Sequence, residues 1–138
     1  MNKYGIIAIV VVVFLVSGVL FKNFKGDSGN VVQSTGKEVN VTIRAVKDEW
    51  RWDVENIQVN AGDKVNFTFV NEDDYDHGIG IDGYGVNEKM PANKSVTRSV
   101  TATRKGKFTF YCSVPCGKGD VNGQERDHFD MIGNLEVI

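Results

Sequence analysis

The chain divides into three stretches that differ in how apolar residues are spaced. Between Tyr4 and Phe21, YGIIAIVVVVFLVSGVLF, apolar residues dominate and no charge interrupts them. From Lys22 to Gly36, KNFKGDSGNVVQSTG, the chain is polar and rich in Gly, Ser and Asn. Beyond Gly36 the apolar residues recur with a period of two, the spacing of a strand with one buried face. Val39, Val41 and Ile43 share one side of the first run. Trp50, Trp52 and Val54 share a side of the next, with Arg51 and Asp53 opposite. Ile57 and Val59 lead through a turn at Asn60-Ala61-Gly62-Asp63 to Val65, Phe67 and Phe69. Further strands are expected at His77–Ile81, Ser95–Thr101, Phe108–Cys112 and Gly133–Ile138, with a turn at Arg104–Lys107. About seven or eight short strands joined by turns, without a soluble helix, describe an all-β sandwich or barrel.

The first stretch has the length of a membrane span. As a helix its roughly 18 residues cover about 27 Å, close to the hydrocarbon thickness of a bilayer. A cleaved signal peptide is the rival, but its apolar part is usually shorter and ends in an A-x-A-like site, which is not evident here. The organisation expected is therefore an anchor over residues 1–21, a flexible linker over 22–36 and a β domain over 37–138. Lys3 on one side and Lys22 and Lys25 on the other leave the orientation nearly balanced by charge. At 138 residues there is room for one domain and its anchor. The net charge of −2 argues against a nucleic-acid partner.

Candidate chemistry is concentrated near the C-terminus. Cys112 and Cys116, the two cysteines of the chain, flank Ser113-Val114-Pro115 directly after an expected strand. His128 and Met131 follow in HFDM, and His77 opens an expected strand after an acidic loop. Thiolate, thioether and imidazole together select copper over magnesium or calcium. Zinc would suit two Cys and two His but has no use for the Met. A disulfide is the alternative role for two extracytoplasmic cysteines, although Pro115 and the short spacing make that bridge awkward.

Residues 112–133, CSVPCGKGDVNGQERDHFDMIG, resemble the C-x-x-x-C-G-x-x-H-x-x-M-x-G copper loop of subunit II of haem–copper cytochrome oxidases. Upstream, EWRWDVENIQVNAGDKVNFTFVNEDDYDHGIGI resembles the same domain from its aromatic strand to its first His ligand. The following GVNEKMPANKSVTRSVTATRKGKFTFYC shares the family's loop, strand and G-x-[FY]-x-[FY]-x-C approach. The similarity covers about residues 39–138, and a single N-terminal span resembles the smaller, one-anchor variety of that subunit. The resemblance implies a cupredoxin-like Greek-key β-sandwich with one N-terminal transmembrane helix. It implies a binuclear CuA centre of two copper ions, bridged by the thiolates of Cys112 and Cys116. One copper would add His77 and the weaker Met131; the other would add His128 and the backbone carbonyl of Val114. Electrons would enter at Trp50, for which packing on a sandwich face is the alternative role. Expected partners are a haem–copper catalytic subunit and a cytochrome c-like donor. The copper domain would stand on the extracytoplasmic side of the cell membrane, carried by a single-pass anchor.

Two departures from the family pattern stand out. Ten residues, Lys118 to Asp127, separate Cys-Gly from His128, where the family has two; the insert is expected to be a solvated loop. Val114 stands where many members carry a Glu that helps bind magnesium, so only its backbone carbonyl keeps a role. Residues 71–90 hold Glu72, Asp73, Asp74, Asp76, Asp82 and Glu88 against Lys89. That acidic loop is a candidate docking face for a basic donor. The rival functions are a free-standing membrane-anchored copper electron carrier or copper-delivery protein, and a metal-free adhesion sandwich.

Overall fold

The structure, a computed structural model, describes residues 35–138; the expected anchor at 1–21 and all of the linker before Thr35 lie outside the described residues. Ten strands run in order: β1 (Glu38–Ala45), β2 (Asn56–Val59), β3 (Lys64–Asn71), β4 (His77–Ile81), β5 (Val86–Met90), β6 (Ser95–Thr101), β7 (Gly106–Tyr111), β8 (Lys118–Val121), β9 (Gln124–Asp127) and β10 (Ile132–Val137). The helical content of the described residues is a single 3-10 turn, His128–Asp130. None of their helices is long and apolar enough to cross a membrane.

The strands form a three-stranded sheet, β1-β3-β6, a five-stranded sheet, β2-β10-β7-β4-β5, and a separate hairpin, β8-β9. In β1 and β3 the alternation acts as expected, because a strand places successive side chains on opposite faces. Ile43, Val65, Phe67 and Phe69 point inward, and Phe67 stacks on Phe69 with centroids 5.5 Å apart. They meet Ile57, Val59, Ile79, Ile81, Phe110, Leu135 and Val137 of the five-stranded sheet in one core. Parallel pairing of β1 with β3 and of β2 with β10 means that these partners are joined by crossings between sheets, not by simple hairpins. The described residues thus form an all-β sandwich.

Two local expectations fail, each for a visible reason. Trp50, Trp52 and Val54 do not lie along one strand face. Residues 46–55 form turns and bends with one isolated bridge, Ala45 to Trp52. Trp50 has φ +45°, which breaks the alternation and sends the two indoles to different places. Trp52 is buried in the core beside Phe110, while Trp50 is only half-buried. The second failure is the insert, which is an ordered hairpin and not a loop. Lys118 pairs with Asp127 and Val121 with Gln124 around Asn122-Gly123. Both turn residues have positive φ, +56° and +84°. That is the conformation a two-residue type I′ connection requires, and Asn-Gly is its preferred sequence. Thr35, at the end of the expected linker, is tied down: its N–H donates to the Gly62 carbonyl (3.0 Å) and its hydroxyl to Asp63 (2.9 Å).

Candidate metal centre

Four elements converge at one end of the sandwich. β4 begins with His77, and β7 runs into the loop that carries Cys112 and Cys116. The 3-10 turn carries His128, and Met131 follows it at the entry to β10. Backbone hydrogen bonds fix the loop on both sides. Cys112 N–H donates to the Met131 carbonyl (3.1 Å), and Ser113 N–H donates to Gly78 in β4 (3.2 Å).

The sulfurs of Cys112 and Cys116 lie 3.4 Å apart. Both cysteines are free, and the spacing is well beyond a disulfide bond of about 2.05 Å. His77 Nδ1 is 3.8 Å from Cys112 Sγ, and Met131 Sδ is 3.7 Å from Cys116 Sγ. Cys112 Sγ also lies 3.1 Å from the Val114 carbonyl oxygen. His77 and Met131 are 0% exposed, and both cysteines are buried. His77 Nδ1 and the two sulfurs fall within 4.8 Å of one another, close enough to share a metal ion.

His128 is placed differently. It is half-buried, lies against Phe129 in a tilted arrangement (3.9 Å between centroids) and stands outside that tight group. It lines a cleft of about 400 Å³ together with Cys112, Val114, Pro115, Tyr111 and Ile132. The cleft is largely apolar at its mouth, where Phe129 is 72% exposed. Asp127 caps the 3-10 turn: its carboxylate accepts from Phe129 N–H (2.8 Å), while Asp130 accepts from Asp127 N–H (2.9 Å). The hairpin therefore ends in the residue that shapes the His128 turn. Because Lys118 and Asp127 are paired, the insert returns to its starting point before His128 begins.

Asp73 is the residue that reading the sequence as an acidic surface loop misplaces. It is 0% exposed, and its carboxylate accepts from His77 Nε2–H at 2.7 Å and from Asp48 N–H at 2.6 Å. Anchoring Nε2–H selects the tautomer whose Nδ1 lone pair faces Cys112, the usual arrangement for a ligating histidine. Asn71 supports this by bonding the carbonyls of Tyr75 and Met90 and the Asp73 N–H. A carboxylate four residues before the His is the sequence signal, hidden among other acids. Most of those others have a cation nearby: Asp74 pairs with Lys47 (3.0 Å) and Asp76 with Lys89 (2.7 Å). Glu72 lies near Arg44 (3.6 Å), and Glu88 near Arg98 (3.7 Å). The acidic loop is thus partly internal and partly ion-paired, not a bare negative face.

The electrostatics suit a cation. The hydrogen bond between the sulfurs pulls the Cys112 thiol down to about 4, against the opposing effect of burial and with help from His77. The same bond, together with burial, pushes Cys116 above the ordinary thiol range. The pair therefore holds one thiolate and shares one proton. Burial works against a charged His77, but hydrogen bonds to Cys112 and Asp73 outweigh it and raise its pKa above 6.5. Burial, then Asp73, raises the Tyr75 phenol above its ordinary value, so it stays neutral beside His77. Two sulfurs, an imidazole nitrogen, a thioether and a carbonyl oxygen form a soft donor set that fits copper.

Trp50 approaches this centre from the side. Its indole Nε1–H donates to the Cys116 carbonyl (3.1 Å), and its ring stacks on Tyr75 at 6.1 Å. Tyr75 in turn lies 5.2 Å from His77.

Known proteins share this architecture at low sequence identity. Auracyanin A, a "blue" copper protein of Chloroflexus aurantiacus, matches with a TM-score of 0.58 at 19% identity, covering 73% of this chain and 99% of that one. A chain of a heme-copper terminal oxidase dimer matches with a TM-score of 0.58 at 17% identity, covering 99% of this chain and 98% of that one. The periplasmic domain of subunit II of cytochrome oxidase from Bradyrhizobium japonicum gives 0.58 at 16% identity, covering 72% and 83%. These similarities establish the fold. No curated protein matches the sequence. The model of the cupredoxin-like domain family matches residues 6–121, most of the chain, so the protein belongs to the cupredoxin-like domain family.

Proposed function

We propose that this cupredoxin-like domain holds two copper ions and serves as the electron-accepting CuA subunit of a membrane-bound terminal oxidase. The observation that carries the reading is the pair of buried sulfurs, 3.4 Å apart, with ligand groups on both flanks. His77 Nδ1 and Met131 Sδ lie on the enclosed flank. The Val114 carbonyl and His128 lie along the cleft on the other. A mononuclear blue site uses one thiolate with two imidazoles and a weak thioether. A second buried thiol would there be left without a cation. Two copper ions, held by Cys112, Cys116, His77, Met131, His128 and the Val114 carbonyl, would give every donor a partner. Copper supplies a reversible one-electron couple.

The chain's own residues would set the conditions for fast transfer. Asp73 holds the His77 ring, the Cys112–Met131 backbone bond holds the loop to β10, and both cysteines are buried. A site held this firmly has little to rearrange when charge changes. Electron entry at Trp50 is favoured by its hydrogen bond to the Cys116 carbonyl. The oxidase setting, with a cytochrome c-like donor and an anchor at residues 1–21 that places the domain outside the cell membrane, is supported by the resemblance of residues 112–133 to subunit II.

A second reading has its own support. His128 stands apart from the tight group, and the fold is equally similar to auracyanin A. A free-standing carrier would then hold a single copper. Metal analysis after copper loading, with electron paramagnetic resonance, separates the two. Two coppers per chain, with a signal spread over both, are expected. One copper per chain with a single-ion spectrum would overturn the CuA reading.

A further inference from the structure

The inserted hairpin makes a contact that a solvated loop could not. Gly119 in β8 lies directly against the indole of Trp50: a Cβ at that position would sit 2.4 Å from Cη2 and 2.5 Å from Cζ3. Real side chains do not approach so closely, so any other residue there must displace the indole or the strand. The ring is not free to move. It stacks on Tyr75, and its Nε1–H is bonded to the Cys116 carbonyl. Its backbone is held at φ +45°, a conformation costly for a bulky residue and kept only where the surroundings demand it. Cys116, Gly119 and Trp50 thus form a closed loop of contacts: hairpin on indole, indole on carbonyl, carbonyl on the loop that leads back into the hairpin.

We propose that Gly119 is a positioning residue. It lets β8 lie flat on the Trp50 indole and so holds Nε1–H against the Cys116 carbonyl, setting the orientation of the loop that carries the Cys116 sulfur. The insert then organises the metal loop and is not a passive elongation. This role rests on the copper reading for its functional consequence but not for its structural one.

Two variants of the full chain test it. Gly119→Ala adds the Cβ. Excision of Gly119–Arg126 removes the contact altogether. Lys118 and Asp127 are opposite each other in the hairpin, so their Cα atoms are about 5 Å apart and a peptide bond can join them with little adjustment. The first readout needs no metal: the indole N–H resonance of Trp50 in ¹⁵N NMR, assigned by its loss in Trp50→Phe, and its exchange with solvent. Both variants should move that resonance and speed its exchange while the buried Trp52 signal stays in place. The second readout is the visible and paramagnetic spectrum of the copper-loaded protein. Both variants should shift it in the direction that Trp50→Phe shifts it, with copper affinity lower by on the order of 10-fold. If Gly119→Ala does not fold, the excision variant alone decides. An unchanged Trp50 resonance would overturn the contact, and a displaced indole with an unaltered copper spectrum would overturn the positioning role. Should the wild-type chain bind no copper, the function proposed above fails, and the indole resonance still decides whether Gly119 holds Trp50.

Discussion

The two flanks of the metal centre are built differently. On the enclosed flank, His77 starts a strand in which every residue is buried, its ring is bonded to Asp73, and Met131 is tied by its carbonyl to Cys112. On the cleft flank, His128 rides on a single 3-10 turn at the end of a hairpin, half-buried beside an exposed Phe129. Strand and core enforce the first position, because a shift there would strain the packing of a close-packed interior. The second is set by a cap, a short turn and the end of the hairpin, outside the close-packed core.

The largest effects should come from the atoms shared by both flanks. Cys112→Ser and Cys116→Ser should each abolish the two-copper spectrum, since in the proposed centre each sulfur would serve both ions. Retention of that spectrum in either variant would exclude bridging.

The sharpest contrast between the flanks should come next, from the two histidines. His77→Gly leaves an enclosed hole, whereas His128→Gly enlarges a cleft of about 400 Å³ that solutes can enter. Free imidazole should restore the wild-type copper spectrum to His128→Gly and not to His77→Gly. Equal rescue, or none in either, would mean that the flanks do not differ in access.

Asp73→Asn probes the firm flank through its second layer of contacts. It should lower copper affinity by on the order of 10- to 100-fold, as loss of a carboxylate behind a ligating histidine generally does. In the metal-free protein the effect on stability has a defined sign. His77 is raised above 6.5 in the fold, so charging it stabilises the native state. That contribution is complete below about pH 6.5 and is lost as pH rises through the elevated value. Wild type should therefore exceed Asp73→Asn in thermal stability most clearly at acid pH, with the gap narrowing toward alkaline pH. A gap that widens with pH would contradict a charged His77.

The smallest effect should come from the outer acids of the same loop. Asp74→Asn with Asp76→Asn removes charges that are already paired with Lys47 and Lys89. Reduction by a basic cytochrome, followed by stopped flow across a salt series, should slow only slightly and only at low ionic strength. A large loss would restore the acidic loop as a docking face.

Much of this was legible from the residues. Period-two alternation located β1, β3 and β10, because a strand between core and solvent must alternate and one residue of slip would expose the core. The types of Cys112, Cys116 and His77, which the fold brings together, pointed to a candidate soft-metal site, because ligand chemistry is a property of side chains and not of the fold. The hairpin was legible too, in Asn122-Gly123 between two short polar runs. It was missed because β8 and β9 carry no apolar alternation: the hairpin buries no core face of its own.

Only the tertiary structure could decide the rest. Alternation placed Trp50 and Trp52 together, and the positive φ at Trp50 separated them, one into the core and one onto the metal loop. The acids of residues 71–90 look alike in a sequence, but burial turned Asp73 into a support for His77 while Asp74 and Asp76 found lysines at the surface. The reason is common to both cases. Local sequence sets which conformations and chemistries are available, whereas the role of a single side chain depends on contacts between residues far apart in the chain, such as Trp50 with Gly119 and Cys116.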